Sequence, residues 1–279
     1  MSRIDIAQTI AQVTFRPEVW EWLDLFGDTV GATQREAMLR DDHFRADTEY
    51  KQLLVRAIQR DISTLTAIYI LLRCELIHQA AAHVRLFCES LVTLRYIAQD
   101  PAARVSLFLD YAHIERYDVA RSALEWEGGR AEPAHVQQTR DLLAELQPEY
   151  DRVKSRYLFT DRKGRQRAFS NWCNLTVARQ AEKCGPAFTR LYDIVYSQLS
   201  AYVHGSAWSL RRQIAYSRKH YDPRVVLNDI ATVIRTASVV WEEWVRFCDD
   251  QAGWDVAKVL QALVARLKDL DSRHFPVSP

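Results

Sequence analysis

The sequence is short of the residues that interrupt helices. Glycine and proline number eight each among 279 residues, which leaves few tight turns and argues against many short strands joined by Gly- and Pro-rich loops. The five cysteines, Cys74, Cys88, Cys173, Cys184 and Cys248, are odd in number and widely spaced. Neither a disulfide framework nor a zinc site of the Cys-x2-Cys kind is therefore indicated, and a reducing compartment fits best. Long apolar runs are missing as well: the best, LTAIYILL, stops at Arg73, far short of the ~20 residues that cross a bilayer. The opening MSRIDIAQTIAQ carries an acid where a signal peptide needs an unbroken apolar stretch. The expectation is a cytoplasmic protein that makes no use of a membrane.

Also lacking are G-x-x-x-x-G-K, G-x-G-x-x-G and H-E-x-x-H, and His78 and His83 stand five apart, off the spacing of a helical metal pair. No cofactor and no metal are expected. With so few glycines, phosphate would have to be held by side chains. Net charge gives no lead either, since 37 Lys and Arg meet 36 Asp and Glu.

What the chain does have is the 3.6-residue period, almost throughout. Pro17 and Glu18 suit a first helical turn ahead of Trp20, Leu23 and Leu25, in a helix over about 17–26. From about 51 to 99 neither glycine nor proline occurs, and Leu54, Ile58, Ile62, Leu65, Ile68, Leu72, Leu76 and Ile77 carry one apolar stripe, as one very long helix or two joined by a slight break. Asp100-Pro101 ends it and opens a helix over about 101–126, closed by Gly128-Gly129. Another runs from near Pro133 into the 150s, where Pro148 would kink it. LFTDRKGRQRAFSNW reads as a loop, and further helices are expected at about 174–184, 187–204, 223–249 and 254–270. No alternating pattern competes with helix over more than five residues. The predicted fold is all-α, with a helical extension over residues 1–50 and one bundle domain over 51–279.

Within YSQLSAYVHGSAW, Tyr196, Ser200 and His204 recur every four residues and share one helical face, which Tyr192 extends. His204 ends that helix with Gly205 behind it, which suits a capping histidine near the helix dipole. The same position suits a general acid or base, with Ser200 and Tyr196 orienting it. Both readings stand at this point. Ser200 lacks the strained turn that exposes a serine nucleophile. Arg85 and Glu89, four apart on a strongly apolar helix, face inward together or line a cleft.

The segments HVRLFCESLVTLRYIAQDPAARVSLFLDY, NWCNLTVARQAEKCG and YDIVYSQLSAYVHGSAW together resemble a bacterial helical family, domain of unknown function 5677. Its pattern is matched at Arg85, Glu89, Tyr96, Asp100, Pro101 and Trp172, then at Tyr196, Leu199, Ser200, Tyr202, His204, Gly205 and Ser206. The resemblance covers about 70–210 and departs at Cys173-Asn174, where a small residue such as glycine is the pattern. It implies a helical fold and a set of key positions, and no activity. The closing L-S-x-x-x-H-G also resembles the end of HEPN domains, whose nuclease members carry an arginine and a polar residue where this chain has Leu199 and Ser200. An HEPN-like relationship would imply metal-independent RNA cleavage and a role in phage defence or as a toxin. The Arg-x4-6-His spacing of HEPN ribonucleases occurs at Arg73/His78 and Arg130/His135, no more often than chance gives in a chain this rich in arginine.

Charge is segregated. Residues 152–224 hold 15 Lys or Arg against 4 Asp or Glu. Arg162, Lys163, Arg165 and Arg167 concentrate in the loop, and Arg211, Arg212, Arg218, Lys219 and Arg224 follow the histidine, with Trp208, Tyr216 and Tyr221 among them. Cations interleaved with aromatics suit a nucleic-acid backbone and base stacking. They suit equally an acidic protein partner, the chain's own acidic half, or a homodimer. The expected site joins His204, Arg85, Glu89, Tyr196 and Ser200 for chemistry to Arg162, Lys163, Arg165, Arg167, Arg211 and Arg212 for RNA or another anionic ligand.

Overall fold

The computed structural model describes residues 17–41, 47–127, 132–203, 223–253 and 257–274. Among these the chain is all-α, as the periodicity predicts, with nine α-helices and one small antiparallel hairpin. They are α1 (Pro17–Asp41), α2 (Glu49–Arg73), α3 (Ile77–Ala98), α4 (Pro101–Glu127), α5 (Pro133–Val153), α6 (Val177–Cys184), α7 (Pro186–Val203), α8 (Pro223–Ala252) and α9 (Ala257–His274). The hairpin pairs β1 (Leu158–Thr160) with β2 (Gln166–Ala168).

Two sequence-based expectations change, and one open alternative is decided. The first helix runs on to Asp41, because Thr29 and Thr33, polar as written, turn their hydroxyls back onto the carbonyls of Leu25 and Thr29 and stay buried. The stretch 51–99 is two helices, since Glu75 at φ 57° reverses the chain between them. The loop at 158–168 is a strand pair too short to show a period.

The chain divides into two compact units, one of residues 1–98 with 181–279, the other of residues 99–180. In the first, α3 packs against α2, α7 and α8, and α1 lies against α2, α8 and α9. The helix set apart as an extension thus supplies core: Trp22, Leu23 and Phe26 are fully buried, with Trp241, Trp244, Phe87 and Phe247. Gly27 lets α1 approach α2, because a Cβ there would lie 2.9 Å from the Tyr69 ring. Trp241 Nε1 donates to Thr33 Oγ1 at 2.9 Å, tying α8 to α1.

In the second unit α4 and α5 form a helical hairpin. Tyr117 stacks on Tyr150 with centroids 4.0 Å apart and donates to Gln147 at 2.8 Å. Ile114, Val153 and Tyr157 make its small core. Asp100 caps α4 as Asp-Pro predicts, accepting from the Ala103 N–H. At Cys173-Asn174, Asn174 takes the left-handed conformation at φ 54° that glycine would supply, and Asn171 Oδ1 accepts from the Cys173 and Leu175 amides at 3.2 Å each. The tight turn survives without its glycine.

Two aspartates, Asp61 and Asp229, are buried inside the first unit, and the first of them joins three helices. Asp61 of α2 is 1% exposed and accepts from Ser90 Oγ of α3 at 2.7 Å and from Trp244 Nε1 of α8 at 3.1 Å. Arg60, on the same helix, donates to Ser90 Oγ at 2.6 Å. Burial lifts the Asp61 carboxyl to about 6, against the hydrogen bonds and the Arg60 charge that pull it down. Because its folded value stands above its unfolded one, the group favours folding fully below pH 3.8, and that contribution is lost as pH rises through about 6. The swing is about 3 kcal/mol. Asp61→Asn keeps a carbonyl for Trp244 and removes the charge, so urea unfolding at pH 8 should show stability at or above wild type, without the swing. Asp61→Ala should cost about 2–4 kcal/mol by stranding both donors. An Asn variant no more stable than the Ala variant would contradict this account.

Candidate functional site

The first unit brings together three of the five residues singled out for chemistry. Arg85 and Glu89 lie one turn apart on α3, because four residues return a side chain to the same face. Across from them α7 presents Tyr192 and Tyr196 at the same spacing. The Arg85 guanidinium carbon sits 4.3 Å from the centre of the Tyr196 ring, in the range of a cation–π contact. The rings of Tyr192 and Tyr196 are 5.0 Å apart and inclined at 31°. Arginine, tyrosine and tyrosine therefore form one continuous stack between α3 and α7.

The electrostatics of this stack are unfinished. The Arg85 side chain is 13% exposed, and its Nε is buried with no hydrogen-bond partner among the described residues. Glu89, the nearest acid, stands with Oε1 3.8 Å from Arg85 Nη2, within ion-pair reach but beyond a hydrogen bond. Burial raises the Glu89 carboxyl, and Arg85 pulls it back. Burial also pushes the Tyr192 phenol up to about 12, helped by Tyr196 and Glu89. Tyr192 is thus a neutral donor at neutral pH, beside a desolvated cation whose planar fork suits the paired oxygens of a phosphate or carboxylate.

Ser200 is half-buried one turn beyond Tyr196. His204 lies outside the described residues, as do Arg211 and Arg212. Nearby, Tyr202 of α7 donates to Asp229 of α8 at 2.7 Å, both buried. The His78 ring meets Tyr202 edge-on, with centroids 5.7 Å apart. Sequence reasoning passed over this bond and the Asp61 cluster. In both, a lone aspartate falls in phase with an apolar stripe, Asp61 between Leu54, Ile58 and Leu65, and Asp229 between Val226, Ile230 and Val233.

Residues 162–167 belong to the second unit and form the turn of the hairpin and its return strand. Asp161 organises them: its carboxylate accepts from the Lys163 and Arg165 amides at 2.8 and 3.0 Å and holds the side chains of Arg165 and Arg167 at 3.0 and 3.3 Å. These contacts, the Arg165 amide foremost, keep the Asp161 carboxyl below its ordinary value. Gly164 closes the turn at φ 75°. Arg162 and Lys163 are exposed at the tip. Elsewhere in the unit Asp110 pairs with Arg152 and Arg156. Four of the fifteen cations counted over residues 152–224, Arg152, Arg156, Arg165 and Arg167, are therefore paired with these two aspartates.

Among the described residues no group of three or more His, Cys, Asp and Glu is placed to hold a metal ion, and no helix is long and apolar enough to cross a membrane. The scaffold and the stack on it define an all-α protein with a partly buried arginine between two helices, its Nε unpaired among the described residues. Residues 51–220 match the family of unknown function DUF5677, and the chain belongs to that family. No curated protein and no solved structure matches it.

A partly buried cation without a full set of acceptors is a poor stabiliser. Replacing it with an apolar residue of similar length is neutral or favourable when no tight pair is broken. Arg85→Met should therefore melt at or above the wild-type temperature. A fall equivalent to more than about 2 kcal/mol would make Arg85 a structural residue.

Proposed function

We propose that this chain is an HEPN-like protein that binds RNA, with a backbone phosphate held by Arg85 beside Tyr192 and Tyr196. The observation that carries this reading is the Arg85 Nε–H, buried and without an acceptor among the described residues, next to two aromatic rings on which a base or ribose can rest. A desolvated N–H costs free energy unless something completes it, and phosphate fits the guanidinium fork. Arg162 and Lys163, exposed at the hairpin tip, supply sequence-independent attraction, with Arg165, Arg167, Arg211 and Arg212 as further cations of the basic segment.

In a metal-independent cleavage at this site, the ribose 2′-oxygen attacks phosphorus and gives its proton to a base. The 5′-oxygen leaves with a proton from an acid, and a cyclic phosphate remains. His204 would transfer a proton, Arg85 would offset charge on the phosphorane, Glu89 would orient Arg85, and Tyr196 or Ser200 would position the hydroxyl. A defence or toxin role follows from the HEPN likeness alone, and a cytoplasmic location from the odd number and wide spacing of the cysteines.

The rival reading is a non-enzymatic interaction module, favoured by the local matching of Arg152, Arg156, Arg165 and Arg167 with Asp110 and Asp161. Titration of purified protein with a single-stranded oligoribonucleotide at several salt concentrations separates the two. The RNA reading predicts tight binding at low salt, at least tenfold weaker in Arg85→Met, with a salt slope smaller by about 0.7 for the lost phosphate contact. It also predicts that any cleavage disappears in His204→Ala. Equal RNA affinity in wild type and Arg85→Met would overturn the assignment, and no binding at low salt would favour the interaction module.

A further inference from the structure

Helix α4 carries a second surface, independent of the arginine site. Leu109, Ala112, Arg116, Val119, Ala123 and Trp126 follow one another in alternating steps of three and four residues, the spacing of a coiled-coil seam. At 100° per residue they fall on one face. Asp110, Tyr111, Ile114 and Tyr117 fall on the opposite one, where they meet α5 and the turn after it. The seam is open to solvent: Val119 is 70% exposed, Trp126 69% and Leu109 40%. Three large apolar side chains in one row over about 26 Å of helix are unusual for a surface that meets only water.

Arg116 interrupts the apolar row at its middle and identifies the partner. Arg121, on a neighbouring face, is matched by Asp118 and Glu125. Arg116 and Glu115, both exposed, form no ion pair among the described residues. If a second α4 lies antiparallel on the seam, Leu109 faces Trp126 of the partner subunit, Ala112 faces Ala123 of the partner subunit, and Arg116 faces Val119 of the partner subunit. Arg116 then enters a hole framed by Ala112, Glu115 and Val119 of the partner subunit. Two-fold symmetry repeats this, so two Arg116–Glu115 pairs close at the centre, with large side chains meeting each other toward the ends and small ones between. With the same helix on both sides the two charges satisfy each other reciprocally, as an isologous interface requires. The two Trp126 rings would supply about 300–500 Å² of the roughly 1,200–2,000 Å² that a specific interface buries.

We infer that the chain forms a homodimer through antiparallel pairing of its α4 helices, locked by reciprocal Arg116–Glu115 contacts. The test is the molar mass of the full chain by light scattering and sedimentation across a roughly hundredfold range of concentration. Wild type should be dimeric at the upper end. Val119→Asp, which alters an exposed position and leaves the core untouched, should be monomeric with its helical circular dichroism unchanged. Arg116→Glu should weaken dimerisation about tenfold, two modest pairs lost together, and Glu115→Arg with Arg116→Glu should restore it to near wild type. A monomer at every concentration would overturn the inference, as would a dimer indifferent to Val119→Asp. A charge exchange that fails to restore pairing would overturn the antiparallel register.

Discussion

The carboxylate of Asp61 is the constraint on which the first unit depends. An ionised group at 1% exposure is costly, and a leucine there would bury as well without specifying alignment. The aspartate accepts at once from Ser90 on α3 and Trp244 on α8, and only one sliding position of the three helices lets both donors reach it. Cys248, one turn beyond Trp244, is fully buried, and its thiol is pushed well up by burial and then by the Asp61 charge. Polar contacts thus fix the register, and apolar packing supplies the energy.

With α3 held in this way, the arginine site follows from geometry. Ser90 faces α2 while Arg85 and Glu89, on another side of the same helix, face α7, so one helix is both bolt and wall. On α7 the division repeats. Val195, Leu199 and Tyr202 turn inward, with Tyr202 bonded to Asp229, while Tyr192 and Tyr196 remain at the edge beside Arg85. The two sides of this helix therefore differ in their polar contacts. On one side Tyr202 is bonded to Asp229, and on the other Tyr196 meets Arg85, whose Nε has no acceptor among the described residues.

The sequence made the helices legible because their period is long and little interrupts it. Arg85, Glu89, Tyr192 and Tyr196 were legible as neighbours along each helix, although the stack between α3 and α7 is a matter of tertiary packing. Asp61 was hidden because a single acid in an apolar stripe is easily taken for its solvent edge; adjacent Ile62 is only half-buried, while Asp61 is in phase with Leu54, Ile58, Leu65 and Ile68. The strand pair escaped because three residues per strand show no period, and the matching of Arg165 and Arg167 by Asp161 because charge counting ignores geometry. Asn174 looked like a departure from the family pattern and is a substitute for it, since asparagine also tolerates the left-handed region.

The central claim is that the buried Nε–H of Arg85 completes its hydrogen bonding with an anion. The most direct measurement is the arginine Nε–H region of the proton–nitrogen NMR spectrum, with the Arg85 signal assigned by its loss in Arg85→Met. On titration with a short oligoribonucleotide the account predicts a saturable downfield shift of that signal, with the signals of the exposed arginines moving less. A signal that stays in place while RNA binds elsewhere on the protein would contradict it.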